Sequence, residues 1–229
     1  MHFLSAKSHE LPARLHSDLA AYRYQVFVQR LGWKLDTAVG HEQDQFDHDE
    51  TVHLIARNDD DDIVGCGRLL PCSGPYLLES VFPQLLNGAP APRDESVWEL
   101  SRFAAMDTES TTTPTSRRDY MAERVLLEAL RFCAARGVQT LIAVSSLPME
   151  RLMQRAGVDI HRMGPPSIVD GEPVLGFVIR VNEQSISALA AFEAAACTRS
   201  ACTSMRRGRV DVAPGAAPSH AFADAAVAA

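Results

Sequence analysis

The sequence has few aromatic residues, no excess of positive charge and no long apolar run. Aromatic side chains make up 7% of the 229 residues, and the formal net charge is -7. A net negative charge argues against general binding to nucleic acid, although it allows a local basic patch. Residues 1–7 lack the apolar core of a secretory signal, and no stretch approaches the roughly 18 apolar residues of a membrane helix. We therefore predict a soluble, cytoplasmic protein without membrane insertion or a nucleic-acid partner.

Cysteine is also scarce, and its placement excludes the usual cysteine chemistry. The five cysteines are odd in number and far apart, at Cys66, Cys72, Cys133, Cys197 and Cys202. They form no CxxC pair and no Cys/His cluster with the spacing of metal ligands. Reduced thiols are the simplest interpretation. We therefore predict no disulfide framework and no metal site.

Apolar periodicity predicts one α/β domain over residues 1–205, a mixed sheet flanked by helices. Residues 206–229 are rich in Ala, Pro and Gly, which is typical of a disordered tail. The late strand–helix–strand portion favours parallel pairing. The predicted elements are a helix at Leu11–Leu31, a loop at Gly40–Glu50, hairpin strands at Val52–Arg57 and Ile63–Leu70, a short helix near Leu78–Leu86, a strand at Val97–Ala104, a linker at Thr111–Thr115, a helix at Arg117–Arg136, a strand at Thr140–Val144, a helix at Pro148–Ala156, strands near Asp159–Met163 and Val174–Val181, and a helix at Ser185–Thr198.

Charged and aromatic residues alternate in the first predicted helix and the acidic loop after it. Arg23 and Phe27 are four residues apart and share a helix face, and Trp33 stands just beyond the helix end. Asp44 and Asp47 are three residues apart and could converge on a cation. Taken singly, a core Phe, a surface Arg and a solvated loop are the ordinary interpretations.

Charged residues also interrupt two predicted strands. Arg68 follows two glycines in an apolar strand, and a guanidinium in that setting needs a carboxylate partner. Strand alternation sends Glu99 and Phe103 to one face of their strand and Arg102 to the other, unless a bulge reorients them. Structural ion pairs are the alternative for each residue alone.

Taken together, these residues resemble the signature of the LuxI-type autoinducer synthases, the acyl-homoserine lactone synthases. The resemblance covers about the first 105 residues by motif, and the order of elements extends it to about residue 182. That family's fold is similar to the GCN5-related N-acetyltransferases, a three-layer fold whose twisted mixed sheet holds an acyl thioester in a central split. The matching positions are Arg23, Phe27, Trp33, Asp44, Asp47, Arg68, Phe82, Glu99 and Arg102.

The resemblance implies an enzyme that acylates the amine of S-adenosylmethionine and then closes a lactone, releasing methylthioadenosine. S-adenosylmethionine is a substrate, so no cofactor is implied. Carboxylates and aromatic faces suit its cations, and arginine suits its carboxylate. Glu99 is the candidate for organising deprotonation, with a structural role in holding Arg102 as the alternative. The implied catalytic residues are Glu99, Arg102 and Arg23, and the implied substrate-binding residues are Arg23, Phe27, Trp33, Asp44, Asp47, Arg68, Phe82 and Phe103.

The acyl donor is expected to be an acyl carrier protein. Coenzyme A-dependent acetyltransferases bind the pyrophosphate with a glycine-rich turn, and the equivalent stretch 117–122 contains no glycine. Residues 117–162 hold an excess of arginine that suits an acidic carrier, and Arg151 and Arg155 are the preferred docking pair. A solvated helix face is the alternative for that pair. Two other functions stay open, an acetyl-CoA-dependent N-acetyltransferase and a non-catalytic sensor domain.

The acyl pocket is expected in the C-terminal half. Ala143 falls where relatives that prefer 3-oxo chains carry Thr, so we predict an unsubstituted acyl chain of six to eight carbons. Ordinary core packing is the alternative for most of the set. The candidates are Met121, Leu126, Leu141, Ala143, Ser145, Leu147, Met149, Leu152 and Met153.

Overall fold

The computed structural model describes residues 1–108, 120–169, 171–206 and 226–228, without the side chains of 195–206 and 226–228. The strands are β1 (His2–Lys7), β2 (Val52–Arg57), β3 (Ile63–Pro71), β4 (Val97–Ala105), β5 (Thr140–Ser146), β6 (Ile160–Arg162), β7 (Ser167–Val169), β8 (Glu172–Arg180) and β9 (Ala226–Ala228). The helices are α1 (Ala13–Arg23), α2 (Leu77–Val81), α3 (Met121–Ala134), α4 (Leu147–Arg155) and α5 (Glu183–Arg206), with a π-helical segment at Tyr24–Arg30 and 3-10 turns at Ser8–Glu10 and Pro83–Leu86.

One mixed sheet runs through the described residues, in the order β1-β2-β3-β4-β9-β5-β8-β6, with β7 paired to β8. Strands β4 and β5 are parallel and pair directly at three positions only, from Val97 with Thr140 to Glu99 with Ile142. Beyond Glu99 the two strands diverge, and the backbone of β9 pairs with Phe103–Ala105 on one side and Ser145 on the other. The sheet therefore has a split at its centre.

Helices cover both faces of this sheet. One face packs under α3, α4 and α5, where Leu126, Leu130 and Met153 meet strand residues such as Leu100 and Ala143. On the other face, α1 covers Ile55 and Cys66, and α2 covers the part near Ile142 and Val144. Alternate strand residues thus pack on opposite faces of the sheet, and helices on both faces give three layers. The predicted fold class is confirmed.

A bulge in β4 changes which side chains face each layer. Cys66 pairs with Ala104 and Arg68 with Ser101, so one residue of β3 faces two of β4. Arg102 takes a φ of 49° inside this bulge, a left-handed conformation that is uncommon outside glycine. As a result Leu100 and Phe103 enter the same core, whereas Arg102 turns to the opposite face beside Arg68.

Most of the predicted elements are confirmed, with shifted ends and three omissions. Strands β1, β7 and β9 were not predicted, and the single predicted helix at Leu11–Leu31 ends in the π-helical segment. The last helix continues to Arg206 rather than Thr198. The Thr111–Thr115 linker and Arg117–Asp119 lie outside the described residues, as does most of the predicted tail. Residues 226–228 of that tail form β9. Among the described residues, no helix is long and apolar enough to cross a bilayer.

Candidate active site

Three buried arginines from the framework meet three carboxylates from one loop. Arg23 ends α1, Arg68 lies on β3 and Arg102 lies in the β4 bulge. The loop between Leu31 and Thr51 carries the acids Glu42, Asp44 and Asp47. We call these six residues the arginine–carboxylate network. A charge in this setting is stable only when it is paired, and each of the six has a partner of opposite charge.

Arg23 is held by two carboxylates at once. Its Nη1 and Nη2 donate to the two oxygens of Asp47 at 2.8 and 2.9 Å, a bidentate pair, and its Nε donates to Glu42. Burial alone would lower the pKa of Arg23, but Asp47 and Glu42 raise it above its ordinary value. Burial alone would raise the pKa of Asp47, but Arg23 and Arg68 hold it well below its usual range. Both groups are therefore charged at neutral pH.

Asp44 joins the other two arginines. Arg68 Nη1 donates to Asp44 Oδ1 at 2.5 Å, and Arg102 Nη2 donates to Asp44 Oδ2 at 2.8 Å. The Asp44 side chain is 17% exposed, whereas those of Glu42 and Asp47 are each 1% exposed. Asp44 is therefore the network acid that a ligand in solution reaches most easily.

Glu42 was missed by the sequence reasoning. It accepts from Arg23 Nε and, at 3.1 Å, from Arg102 Nε, so it bridges residues of α1 and β4. A weak signal was present, because arginines placed inside apolar strands, such as Arg68 and Arg102, need several acceptors when they are buried. The sequence could not place Glu42 among those acceptors, since neighbouring loop acids point to solvent.

Aromatic rings border the network on the α1 side. Phe27 and Trp33 stack with centroids 4.8 Å apart, and the guanidinium carbon of Arg102 lies 5.7 and 5.9 Å from them. The π-helical segment makes this possible, since Leu31 N–H donates to Val26 and Trp33 N–H to Phe27 O. Phe46 lies against Arg68 in the same way, at 5.5 Å. The predicted grouping of Arg23, Phe27, Trp33, Asp44, Asp47, Arg68 and Arg102 is thus brought together.

One donor of the network lacks an acceptor among the described residues. Arg68 is fully buried and uses its Nε on Ser101 at 3.0 Å, but its Nη2 has no hydrogen-bond partner there. A buried guanidinium nitrogen without an acceptor is costly. An anionic ligand group beside Asp44 would supply one.

Glu99 lies deeper and faces another element. Its two oxygens accept hydrogen bonds from the backbone N–H groups of Leu77 and Leu78 at 2.8 and 2.6 Å. Glu99 therefore caps the N-terminus of α2. Burial raises the pKa of Glu99 above its ordinary value, against the lowering effect of these two donors. The proposed structural role of holding Arg102 is not what the contacts show, since Arg102 is held by Glu42 and Asp44.

The two remaining aromatic candidates lie apart from the network. Phe82 caps α2 and packs on the core beneath it. Phe103 is buried on the opposite face of the sheet, because the β4 bulge sends it there with Leu100. Its surroundings are those of the acyl candidates rather than of Arg102.

The acyl candidates form one apolar region on the α3 face of the sheet, apart from Ser145. Leu126, Leu141, Ala143, Met149 and Met153 are buried, and Met121, Leu147 and Leu152 pack partly exposed around them. Ser145 is buried on β5, where its backbone pairs with β9. This region borders the split between β4 and β5.

The docking candidates are both exposed on α4. Arg151 and Arg155 have no ion pair within the described part of the chain. Other arginines predicted in the basic excess are engaged, Arg124 and Arg131 with Glu193 and Arg162 with Glu150. The described residues contain no cluster of three or more His, Cys, Asp or Glu that could hold a metal ion.

His53 is a buried neighbour of the network and makes acid pH destabilising. Its Nε2 lies 2.8 Å from Ser8 Oγ, and burial lowers its pKa to about 4, with Arg23 and Arg68 adding to this and Asp47 opposing it. An unfolded histidine titrates near ~6.5, so the unfolded chain binds more protons between these values and stability falls as pH falls. We expect a loss of about 2 kcal/mol between pH 7 and 5 from this group.

Urea unfolding across that pH range measures this loss, with His53→Gln as the test variant. The variant should lose less stability on acidification than the parent, and the exposed control His2→Gln should behave like the parent. Equal pH dependence in His53→Gln and the parent would contradict the assignment.

Comparison with known proteins agrees with this geometry. The profile of the autoinducer synthase family matches residues 8–189. The acyl-homoserine-lactone synthase of Acinetobacter nosocomialis is 41% identical over 183 residues, which cover 79% of this chain and 100% of the relative.

Solved structures give the same result. TofI, in a ternary complex with an inhibitor and MTA, is 40% identical with a TM-score of 0.73, over 83% of this chain and 97% of TofI. BjaI, a CoA-dependent acyl-homoserine lactone synthase solved with SAM and isopentyl-CoA, is 25% identical with a TM-score of 0.70, over 82% and 86%. An N-acetyltransferase of Lactobacillus plantarum shares the fold alone, at 18% identity and a TM-score of 0.52, over 80% and 100%. The chain therefore belongs to the autoinducer synthase family and is an acyltransferase of the acyl-homoserine-lactone synthase kind.

Proposed function

We propose that the chain acylates the amine of S-adenosylmethionine from an acyl carrier protein and then closes the homoserine lactone, releasing methylthioadenosine. The observation that carries this proposal is the arginine–carboxylate network beside the Phe27–Trp33 stack, with Arg68 Nη2 lacking an acceptor among the described residues. Such a site offers both signs of charge to a small zwitterionic cation. The complexes of TofI with MTA and of BjaI with SAM support the same substrate.

The network suits each charged group of S-adenosylmethionine. Asp44 is its most exposed acid and would attract the sulfonium and ammonium groups, with the aromatic faces beside it. Arg68 Nη2 would donate to the substrate carboxylate. Because Arg23, Glu42 and Asp47 are paired with the other members, they would hold these contacts in place rather than bind substrate themselves.

The chemistry then has two steps. The deprotonated amine attacks the acyl thioester, so a carbon–nitrogen bond forms, the carbon–sulfur bond breaks and the carrier thiol leaves. Next, a carboxylate oxygen attacks the γ-carbon of the same substrate, and the sulfonium sulfur leaves with the bond electrons as neutral methylthioadenosine. Glu99 remains the candidate for organising the first deprotonation, through water. Burial raises the pKa of Glu99 above its ordinary value, which makes its carboxylate a stronger base.

The split between β4 and β5 is the proposed place of the acyl thioester. The backbone of β9 occupies part of this split beside Phe103–Ala105. An acyl donor that enters there must therefore displace β9. The exposed Arg151 and Arg155 suit an acidic carrier protein, and the lack of glycine in residues 117–122 argues against a turn that binds the pyrophosphate of coenzyme A. The CoA dependence of BjaI makes acyl-CoA the competing donor.

One assay tests the proposal. The chain is incubated with S-adenosylmethionine and either octanoyl carrier protein or octanoyl-CoA, and methylthioadenosine and lactone are measured by mass spectrometry. We expect both products, with a higher kcat/KM for the carrier protein, and a lower donor KM in a variant that ends at Arg206. Acyl transfer to another amine without methylthioadenosine would overturn the proposal.

Ala143 is expected to set the preference for an unsubstituted chain of six to eight carbons. It is fully buried on β5 in the apolar region under α3, where a 3-oxo group would lack a hydrogen-bond donor. Ala143→Thr should raise the ratio of 3-oxo-octanoyl to octanoyl product about tenfold, because its hydroxyl can donate to the oxo group. Competition between the two carrier-bound donors measures this, with Ala143→Val as the control for volume. An equal gain in both variants would contradict it.

A further inference from the structure

Helix α4 carries Arg151 and Arg155, which have no ion pair among the described residues, and its orientation decides where they point. It follows β5 directly and spans nine residues, with Met149 and Met153 buried on its inner side. Arg151 and Arg155 lie one turn apart on its exposed side. Two buried methionines fix the depth of such a short helix, but apolar contacts alone fix its rotation poorly because they are not directional.

A buried carboxylate on α4 supplies the directional contact. Glu150 is only 3% exposed, although it is an acidic residue on a helix with one side open to solvent. Arg162 of β6 donates to it twice, from Nε at 2.6 Å and from Nη2 at 2.7 Å, and Gln154 Nε2 approaches at 3.3 Å. A bidentate pair of this kind is rigid in geometry as well as strong.

The pair also removes an unfavourable charge. Glu150 is adjacent in sequence to Arg151 and would repel an acidic protein that approaches α4. Arg162 cancels that charge, and Glu150 accepts from Arg162 and Gln154 rather than from Arg151 or Arg155. Both arginines therefore stay available to an incoming partner.

We propose that Glu150 and Arg162 are positioning residues for the acyl donor, which orient α4 and neutralise its buried acid so that Arg151 and Arg155 meet an acidic carrier protein. This rests on the proposed use of a carrier protein. It adds that two residues which need not touch the carrier determine its affinity.

Binding of labelled octanoyl carrier protein, followed by fluorescence anisotropy, tests the proposal, with the KM for S-adenosylmethionine as the measure of an intact fold. Arg162→Ala should raise the Kd about tenfold and leave that KM unchanged. The double variant Glu150→Gln with Arg162→Gln keeps the net charge and should still raise the Kd about fivefold, since the fork is lost. Arg162→Lys keeps the charge and should recover part of the affinity.

Two further variants separate the possible failures. Arg93→Ala removes an arginine that is also paired with an acid, Glu79, and should leave the Kd unchanged. If Arg151→Ala with Arg155→Ala leaves the Kd unchanged as well, docking on α4 is overturned, whereas a parent that does not bind the carrier protein overturns the carrier-protein proposal itself. If that double variant weakens binding while Arg162→Ala does not, or if Glu150→Gln with Arg162→Gln binds like the parent, only the positioning role is overturned.

Discussion

Replacing Glu42 with alanine is expected to lower the free energy of unfolding by about 3–5 kcal/mol. Glu42 is 1% exposed and accepts from both Arg23 and Arg102, so its loss leaves two buried guanidinium Nε groups without this acceptor. The cost comes mainly from these uncompensated charges and much less from the lost side-chain volume. Urea unfolding at pH 7 measures the change through the transition midpoint.

The matched control for this prediction is an acid of the same type at the surface. Glu50 pairs with Lys7 Nζ at 2.5 Å, but its side chain is 63% exposed. Solvent screens such a pair, so Glu50→Ala should change stability little. Glu42→Gln separates charge from hydrogen bonding and should fall between the two. If Glu42→Ala costs no more than Glu50→Ala, the network does not hold the loop to the framework.

Replacing Asp44 with asparagine is expected to lower kcat/KM for S-adenosylmethionine about a hundredfold or more, with the fold retained. Asp44 receives Arg68 Nη1 and Arg102 Nη2 on its two oxygens. Asparagine presents an NH2 group to one of these donors and leaves the network with an extra positive charge, which repels a cationic substrate. Removing one partner of a desolvated charge pair costs about 2–5 kcal/mol, and each 1.4 kcal/mol is a factor of ten.

Steady-state kinetics with S-adenosylmethionine as the varied substrate, together with thermal unfolding, test this prediction. Asp49→Asn is the matched control, since Asp49 belongs to the same loop and is exposed. It makes the same change in charge and should leave kcat/KM within about twofold. An Asp44→Asn variant that keeps full activity would exclude Asp44 from substrate binding. If Asp44→Asn loses its activity because it is unfolded at the assay temperature, Asp44 contributes to stability rather than to substrate binding.

Part of the candidate site could be predicted because local spacing decides it. Arg23 and Phe27 share a helix face whatever the pairing of the strands, because they are four residues apart. Trp33 lies near that face because Gly32 ends the helical run immediately before it. Asp44 and Asp47 lie in a polar loop, whereas the strand residues around Arg68 are apolar. The carboxylate partners of a buried arginine on that strand therefore have to come from such a loop. The signature of the family added that these local features belong to one site.

The partners of each charge could not be predicted from the sequence. Glu99 was a candidate for holding Arg102, three residues further along the same strand, yet it caps the start of α2. Glu42 bridges residues that are 19 and 60 positions away, and nothing local marks it among the loop acids. Such pairings depend on the path of the loop across the sheet, and that path is set by tertiary packing rather than by local sequence.

The sequence alone determined the order of most strands and helices, the helix face that Arg23 and Phe27 share, and the resemblance to the family. It did so because hydrophobic periodicity and i, i+4 spacing act over a few residues. The tertiary structure alone decided that Arg102 shares a face with Arg68 while Phe103 shares a core with Leu100, and that Arg151 and Arg155 on α4 have no ion pair among the described residues. A one-residue bulge and the bidentate pair of Arg162 with Glu150 between β6 and α4 set these outcomes, because each depends on which distant backbone lies alongside.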